Sequence, residues 1–138
     1  MEQYITFAIN HWEMVVALSI MIVLLVITER RKSGATISPQ QATLIANTGQ
    51  ALFLDVRTTA EFKGARIMNS LNIPFTELNK RLAELENYKG KTIILVCKTG
   101  QTTASAGRLL KKSGFDPVVR MAGGITEWAN QNLPIMRK

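Results

Sequence analysis

A single cysteine, Cys97, stands where an apolar run, Thr92-Ile93-Ile94-Leu95-Val96, stops, and Lys98-Thr99-Gly100-Gln101-Thr102 follows it. Residues 103–113 then read as a helix. A strand-to-helix turn aims backbone N–H groups, and the positive end of the helix dipole, at whatever occupies its centre. A thiol placed there favours its thiolate, the form that attacks as a nucleophile. One cysteine excludes a disulfide framework and a multi-cysteine zinc site; no metal and no cofactor are expected. The unpaired thiol suits a reducing compartment. Taken alone, a cysteine at a strand end is more often a buried packing residue; its neighbours must decide.

The elements needed to hold such a turn are present in order. Ser38-Pro39 pairs an N-cap residue with proline at the first helical position, and that helix should end before Gly49. Ala51 to Val56 and Thr92 to Val96 are short apolar runs of buried-strand type, with Ser70 to Ile73 and Pro117 to Met121 as further strands. Thr58 to Lys63 suits a brief helical turn. Thr76 is placed to cap an amphipathic helix whose Leu78, Leu82 and Leu85 share one face. Gly114 is a natural stop for the helix after Cys97, and Gly123-Gly124 precedes a last helix near Thr126 to Asn130. Strands alternating with helices predict an α/β fold: a mostly parallel sheet flanked by helices on both faces. Ligands in such sheets bind beyond the carboxyl ends of the strands, which is where Cys97 falls.

The first 32 residues are of another kind. Met14 to Ile27 carries no charge and only Ser19 as a polar residue, and Glu29-Arg30-Arg31-Lys32 follows it. Extended back to Ile5, the stretch reaches the ~20 residues of a membrane-spanning helix, with Tyr4 and Trp12 as interfacial aromatics and Asn10, His11 and Glu13 at the outer boundary. His11 has no companion at metal-ligand spacing. The expected bilayer contact is residues 5–28. A cleaved signal peptide would carry its positive charge before the apolar run rather than after it. The positive flank predicts a single-pass inner-membrane protein with its amino terminus outside and its folded part in the cytoplasm. Residues 1–32 form the anchor and basic flank, 33–36 a short linker, and 37–138 the folded domain. The formal charge is +7, and residues 1–28 hold two acids and no base, so the remainder carries +9. Those basic residues are mostly interleaved with acids, so nucleic acid is not an expected partner.

Three landmarks together resemble the rhodanese-like domain family over residues 37 to 134. They are Asp55-Val56-Arg57 with Glu61-Phe62 and Asn72-Ile73-Pro74; the strand ending in Cys97 with Gly100 three residues on; and Gly123-Gly124 with Trp128 and Leu133-Pro134. Two departures stand out. Ala65-Arg66-Ile67 and Asn69-Ser70 replace a Gly-His-Ile and Gly-Ala pattern, and Thr102 closes the loop where many members place arginine.

The resemblance implies a sulfurtransferase in which Cys97 takes sulfane sulfur from an anionic donor such as thiosulfate. The persulfide so formed passes the sulfur to cyanide or a thiol. It also implies that N–H groups from Lys98, Thr99, Gly100, Gln101, Thr102 and Thr103 hold the substrate, with Lys98 adding charge at the mouth. Asp55 and Arg57 are expected to brace the loop through ion pairs, with Glu61 as a partner for Arg57. Trp128 should pack the last helix onto the sheet. Phosphatase chemistry, known on a related scaffold, needs an arginine that Thr102 cannot replace. The remaining alternative is a non-catalytic module that binds membrane-protein partners.

Overall fold

The structure, a computed structural model, describes residues 1–137 and divides the chain into two compact units, Met1–Arg31 and Lys32–Lys138. In chain order the elements are α1 (Glu2–Asn10), α2 (Trp12–Ser33), β1 (Ala35–Ile37), α3 (Pro39–Asn47), β2 (Ala51–Asp55), α4 (Thr59–Gly64), β3 (Ala65–Arg66) and β4 (Leu71–Asn72). There follow α5 (Phe75–Leu78), a 3-10 helix (Leu82–Tyr88), β5 (Thr92–Val96), α6 (Thr103–Lys112), β6 (Val118–Met121), α7 (Gly124–Asn130) and β7 (Met136–Arg137).

The larger unit is built on a five-stranded parallel sheet in the order β1-β6-β5-β2-β4. The central strands β2 and β5 are almost wholly apolar because both of their faces are covered. Alternation along them divides the core in two. Leu52, Leu54, Ile93, Leu95 and Cys97 join Leu78, Leu85, Ala106, Leu110 and Phe115 in one cluster; Phe53, Ile94 and Val96 join Ala42, Ile125 and Trp128 in the other. Cys97 therefore points to the side that α6 covers. Trp128 packs edge-on against Phe53, with ring centroids 5.6 Å apart, and its indole N–H donates to the Pro134 carbonyl at 2.9 Å. This is the docking role expected of it. Ser38 caps α3 in a reciprocal box, its hydroxyl accepting from Gln41 N–H while the Gln41 side chain accepts from Ser38 N–H.

Three expectations need correction. Residues 33–36 are not a loose linker: Ser33 and Gly34 are buried, and Ala35 and Thr36 belong to the edge strand β1, paired with β6. The reason lies in Gly34, where a Cβ would stand 2.4 Å from the Val118 carbonyl oxygen, so only glycine lets the chain pass this close. The single helix expected from Thr76 is instead α5 and the 3-10 helix, with Thr76 inside α5 rather than capping it. Leu78 and Leu85 are buried in the core and Leu82 packs against it, so the apolar pattern was sound but a break separates its parts.

The third correction concerns residues 5–28. The helix is interrupted at His11 (φ −126°, ψ 41°), so α1 is separate and the candidate span is α2, of 22 residues. At ~1.5 Å per residue it is about 33 Å long, against ~30 Å of bilayer hydrocarbon. By length and composition it can cross a membrane, though a signal sequence near an N-terminus meets the same criteria.

Candidate active site

Three neighbouring parallel strands, β5, β2 and β4, end at the same edge of the sheet, and the residues after each line one cavity of about 420 Å³. From the end of β5 come Cys97, Lys98, Thr99, Gln101 and Thr102. Val56, Arg57, Thr58 and Glu61 follow β2, and Pro74, Phe75 and Thr76 follow β4. Cys97 is only 4% exposed, so its thiol forms part of the floor rather than standing open on the surface.

The loop is held from both sides. Gly100 N–H donates to Cys97 Sγ at 2.7 Å, the direction of bond that stabilises negative charge on sulfur. Gly100 adopts φ +93°, a conformation glycine takes without the penalty a Cβ incurs. Its carbonyl accepts from the Thr103 hydroxyl at 2.7 Å. Thr103 is 1% exposed and does not line the cavity, so its place is in the frame of the loop and not among the substrate contacts expected of it. On the other side, the Cys97 carbonyl accepts from Ile125 N–H at 2.8 Å, and the Lys98 carbonyl accepts from both the amide and hydroxyl of Thr126. A Cβ on Gly124 would lie 2.1 Å from the Cys97 carbonyl oxygen. The glycine pair read in the sequence thus allows α7 to start directly against the cysteine's own backbone.

Asp55 and Arg57 form a buried ion pair: Arg57 Nη2 lies 2.7 Å from Asp55 Oδ2, and Nε donates to both carboxylate oxygens at 3.0 Å. Nη2 also donates to the Ala65 carbonyl, while Asn72 Nδ2 donates to the Asp55 and Arg57 carbonyls. The pair ties β2, β4 and the start of β3 together beneath the cavity. Glu61 is not the partner of Arg57. It is exposed in the cavity wall, with its backbone N–H capped by the Thr58 hydroxyl. The charges facing the cavity are therefore Lys98 and Glu61, with Arg57 neutralised by Asp55.

Phe75 and Thr76 were not anticipated as wall residues. The signal that locates them is their position just past the Asn72-Ile73-Pro74 strand end, next to β2 in the sheet. No cluster of three or more His, Cys, Asp or Glu that could hold a metal occurs among the described residues.

The model of the rhodanese-like domain matches residues 38–131, which takes in all three strand ends around the cavity. The chain belongs to the rhodanese-like domain family. A sulfurtransferase of Allochromatium vinosum is 30% identical over 92 residues, covering 67% of this chain and 84% of that protein. An uncharacterised Synechocystis protein, slr1261, is 26% identical over 106 residues; the match covers 77% of this chain but only 58% of the relative. Among solved structures, a rhodanese-related protein from Thermoplasma volcanium superposes with a TM-score of 0.66 at 31% identity, covering 75% of this chain and 99% of its own. The rhodanese-like domain thus lies within the larger unit, over residues 38–131, with a sulfurtransferase among the relatives.

Proposed function

We propose that this rhodanese-like domain is a sulfurtransferase held at a membrane by α2, with Cys97 as its sulfur-carrying nucleophile. The observation that carries the reading is the Gly100 N–H donated to Cys97 Sγ at the floor of a cavity bounded by three strand ends. In the reaction, the Cys97 thiolate attacks the outer sulfur of thiosulfate. A Cys97–sulfur bond forms, the donor S–S bond breaks, and sulfite departs with the bonding pair. The outer sulfur then bears the negative charge of a persulfide, and cyanide or a thiolate removes it, returning the cysteine to thiolate. Covalent storage divides one hard transfer into two easier ones, and no general base is needed because no proton moves.

The Gly100 amide at the sulfur is suited to stabilise the persulfide anion. Lys98, exposed at the rim, draws an anionic donor in, while Thr99, Gln101 and Thr102 supply polar contacts. The arginine many relatives place at the loop's end is here Thr102, which weakens the hold on an anion without touching the nucleophile. Placing the domain on the cytoplasmic side follows from the basic residues after the apolar run.

Thiocyanate production from thiosulfate and cyanide by the full chain in detergent tests the reading. The wild type is expected to turn over repeatedly and Cys97→Ser to show none. Equal rates for the two would refute it.

A further inference from the structure

The cavity at Cys97 carries charge of both signs, and the sheet sets their order. Lys98 follows β5, Glu61 lies on α4 after the adjacent β2, and Phe75 begins α5 after β4 on the far side of β2. A cation thus stands in the segment that bears the sulfur, while an acid and an aromatic ring stand in the two segments beyond it. Lys98 and Glu61 are both exposed, and among the described residues no ion pair joins them. Phe75 is 37% exposed although its side chain is apolar. Arg57 also lines the cavity, but its charge is taken up by Asp55.

Thiosulfate is compact and doubly negative, so an acid in the wall works against it. The cavity is also larger than that ion requires: its volume of about 420 Å³ falls in the range of ~300–1,000 Å³ that holds organic ligands. The second substrate enters the same space. When it arrives, the persulfide anion and Glu61 face Lys98 alone. An acceptor thiolate adds a further negative charge, which an ammonium group on the same molecule offsets. Organic ammonium groups are attracted by carboxylates and by the faces of aromatic rings, and carboxylates by lysine.

We infer that the sulfur acceptor is a thiol of amino-acid type, its ammonium group held by Glu61 and Phe75 and its carboxylate by Lys98. This rests on the sulfurtransferase reading above. The acceptor thiolate attacks the outer sulfur of the Cys97 persulfide. A new S–S bond forms, the bond from Cys97 to that sulfur breaks, and Cys97 leaves as thiolate with the bonding pair. The product is the persulfide anion of the acceptor.

Single-turnover transfer from the loaded chain tests it. The full chain in detergent is exposed to thiosulfate, freed of excess donor and mixed with one thiol, and intact mass follows loss of the extra sulfur. Cysteamine carries only the ammonium group, mercaptopropionate only the carboxylate, and mercaptoethanol neither. Each rate is divided by the mercaptoethanol rate of the same protein, so intrinsic thiol reactivity cancels when variants are compared. Glu61→Gln is expected to lower the cysteamine ratio about two- to fivefold, the worth of one screened charge pair. Lys98→Gln should lower the mercaptopropionate ratio by a similar factor and raise the cysteamine ratio. Phe75→Leu, which has no ring face, should also lower the cysteamine ratio, and Glu61→Asp should keep most of it. High salt should shrink these differences. Only loaded protein is read, so every variant that reports is folded.

A wild type that loads sulfur, yet gives the same ratios as Glu61→Gln and Lys98→Gln, would overturn the inference and leave sulfur transfer standing. So would a cysteamine ratio lowered by Lys98→Gln, because the two charges must act with opposite sign. A wild type that never gains the sulfur would overturn both readings.

Discussion

Around Cys97 a few atoms decide whether the sulfur is usable. The Thr103 hydroxyl holds the Gly100 carbonyl, and the Gly100 amide in turn meets the sulfur. Thr103→Val keeps the shape but removes the hydroxyl, and should cost about 1 kcal/mol in urea unfolding together with slower sulfur loading. Gly124→Ala is the harsher change. Its Cβ would meet a backbone oxygen at φ +59°, so about 1–3 kcal/mol of stability should go, and the displaced Cys97 carbonyl should carry the loop out of place. Thermal melts alongside thiocyanate assays would separate the two effects.

Glu61 is an exposed acid in the wall. Glu61→Gln should lower KM for thiosulfate a few-fold and leave kcat alone, whereas Lys98→Ala should raise KM by a similar factor. Both follow from the weakness of partly screened charge pairs, ~0.2–1 kcal/mol each.

Among the elements, the ends of β2 and β4 matter as much as β5. The Asp55–Arg57 pair is buried on both sides, with side chains 1% and 6% exposed. Asp55→Ala would leave a buried guanidinium without its counter-charge and should cost about 3–5 kcal/mol in chemical denaturation. Arg57, which lines the cavity, would lose its anchor at the same time. What could be read in advance at this scale was whatever depends on near neighbours in sequence. Cys97 at the end of an apolar run, the Ser38 cap and the helix after Thr102 are local patterns, and each appears as expected.

The misreadings share another origin. Arg57 has both Asp55 and Glu61 within reach along the chain, and the choice is made by Ala65 and Asn72, which arrive through the sheet. Phe75 and Thr76 become wall residues only because β4 lies beside β2. β1 and the antiparallel β3–β7 pair are too short to show a periodicity, and they exist through partners far along the chain.

For the molecule as a whole, an apolar helix and a folded domain are linked by a charged stretch, Glu29-Arg30-Arg31-Lys32. The apolar helix exposes Met14, Leu18, Met21, Leu24 and Leu25 at more than half of their surface, a condition water does not favour and lipid does. A chain lacking residues 1–28 should therefore leave the membrane fraction under alkaline carbonate while the full chain stays in the pellet. The shortened chain should retain thiocyanate production, because every residue at the cavity lies in the larger unit.

The most direct measurement is the intact mass of the chain after brief exposure to thiosulfate and removal of excess donor. A gain equal to one sulfur atom is predicted, reversed by cyanide and missing in Cys97→Ser. A wild-type chain that stays at its starting mass, or a serine variant that gains the same sulfur, would contradict the assignment of Cys97 as the carrier.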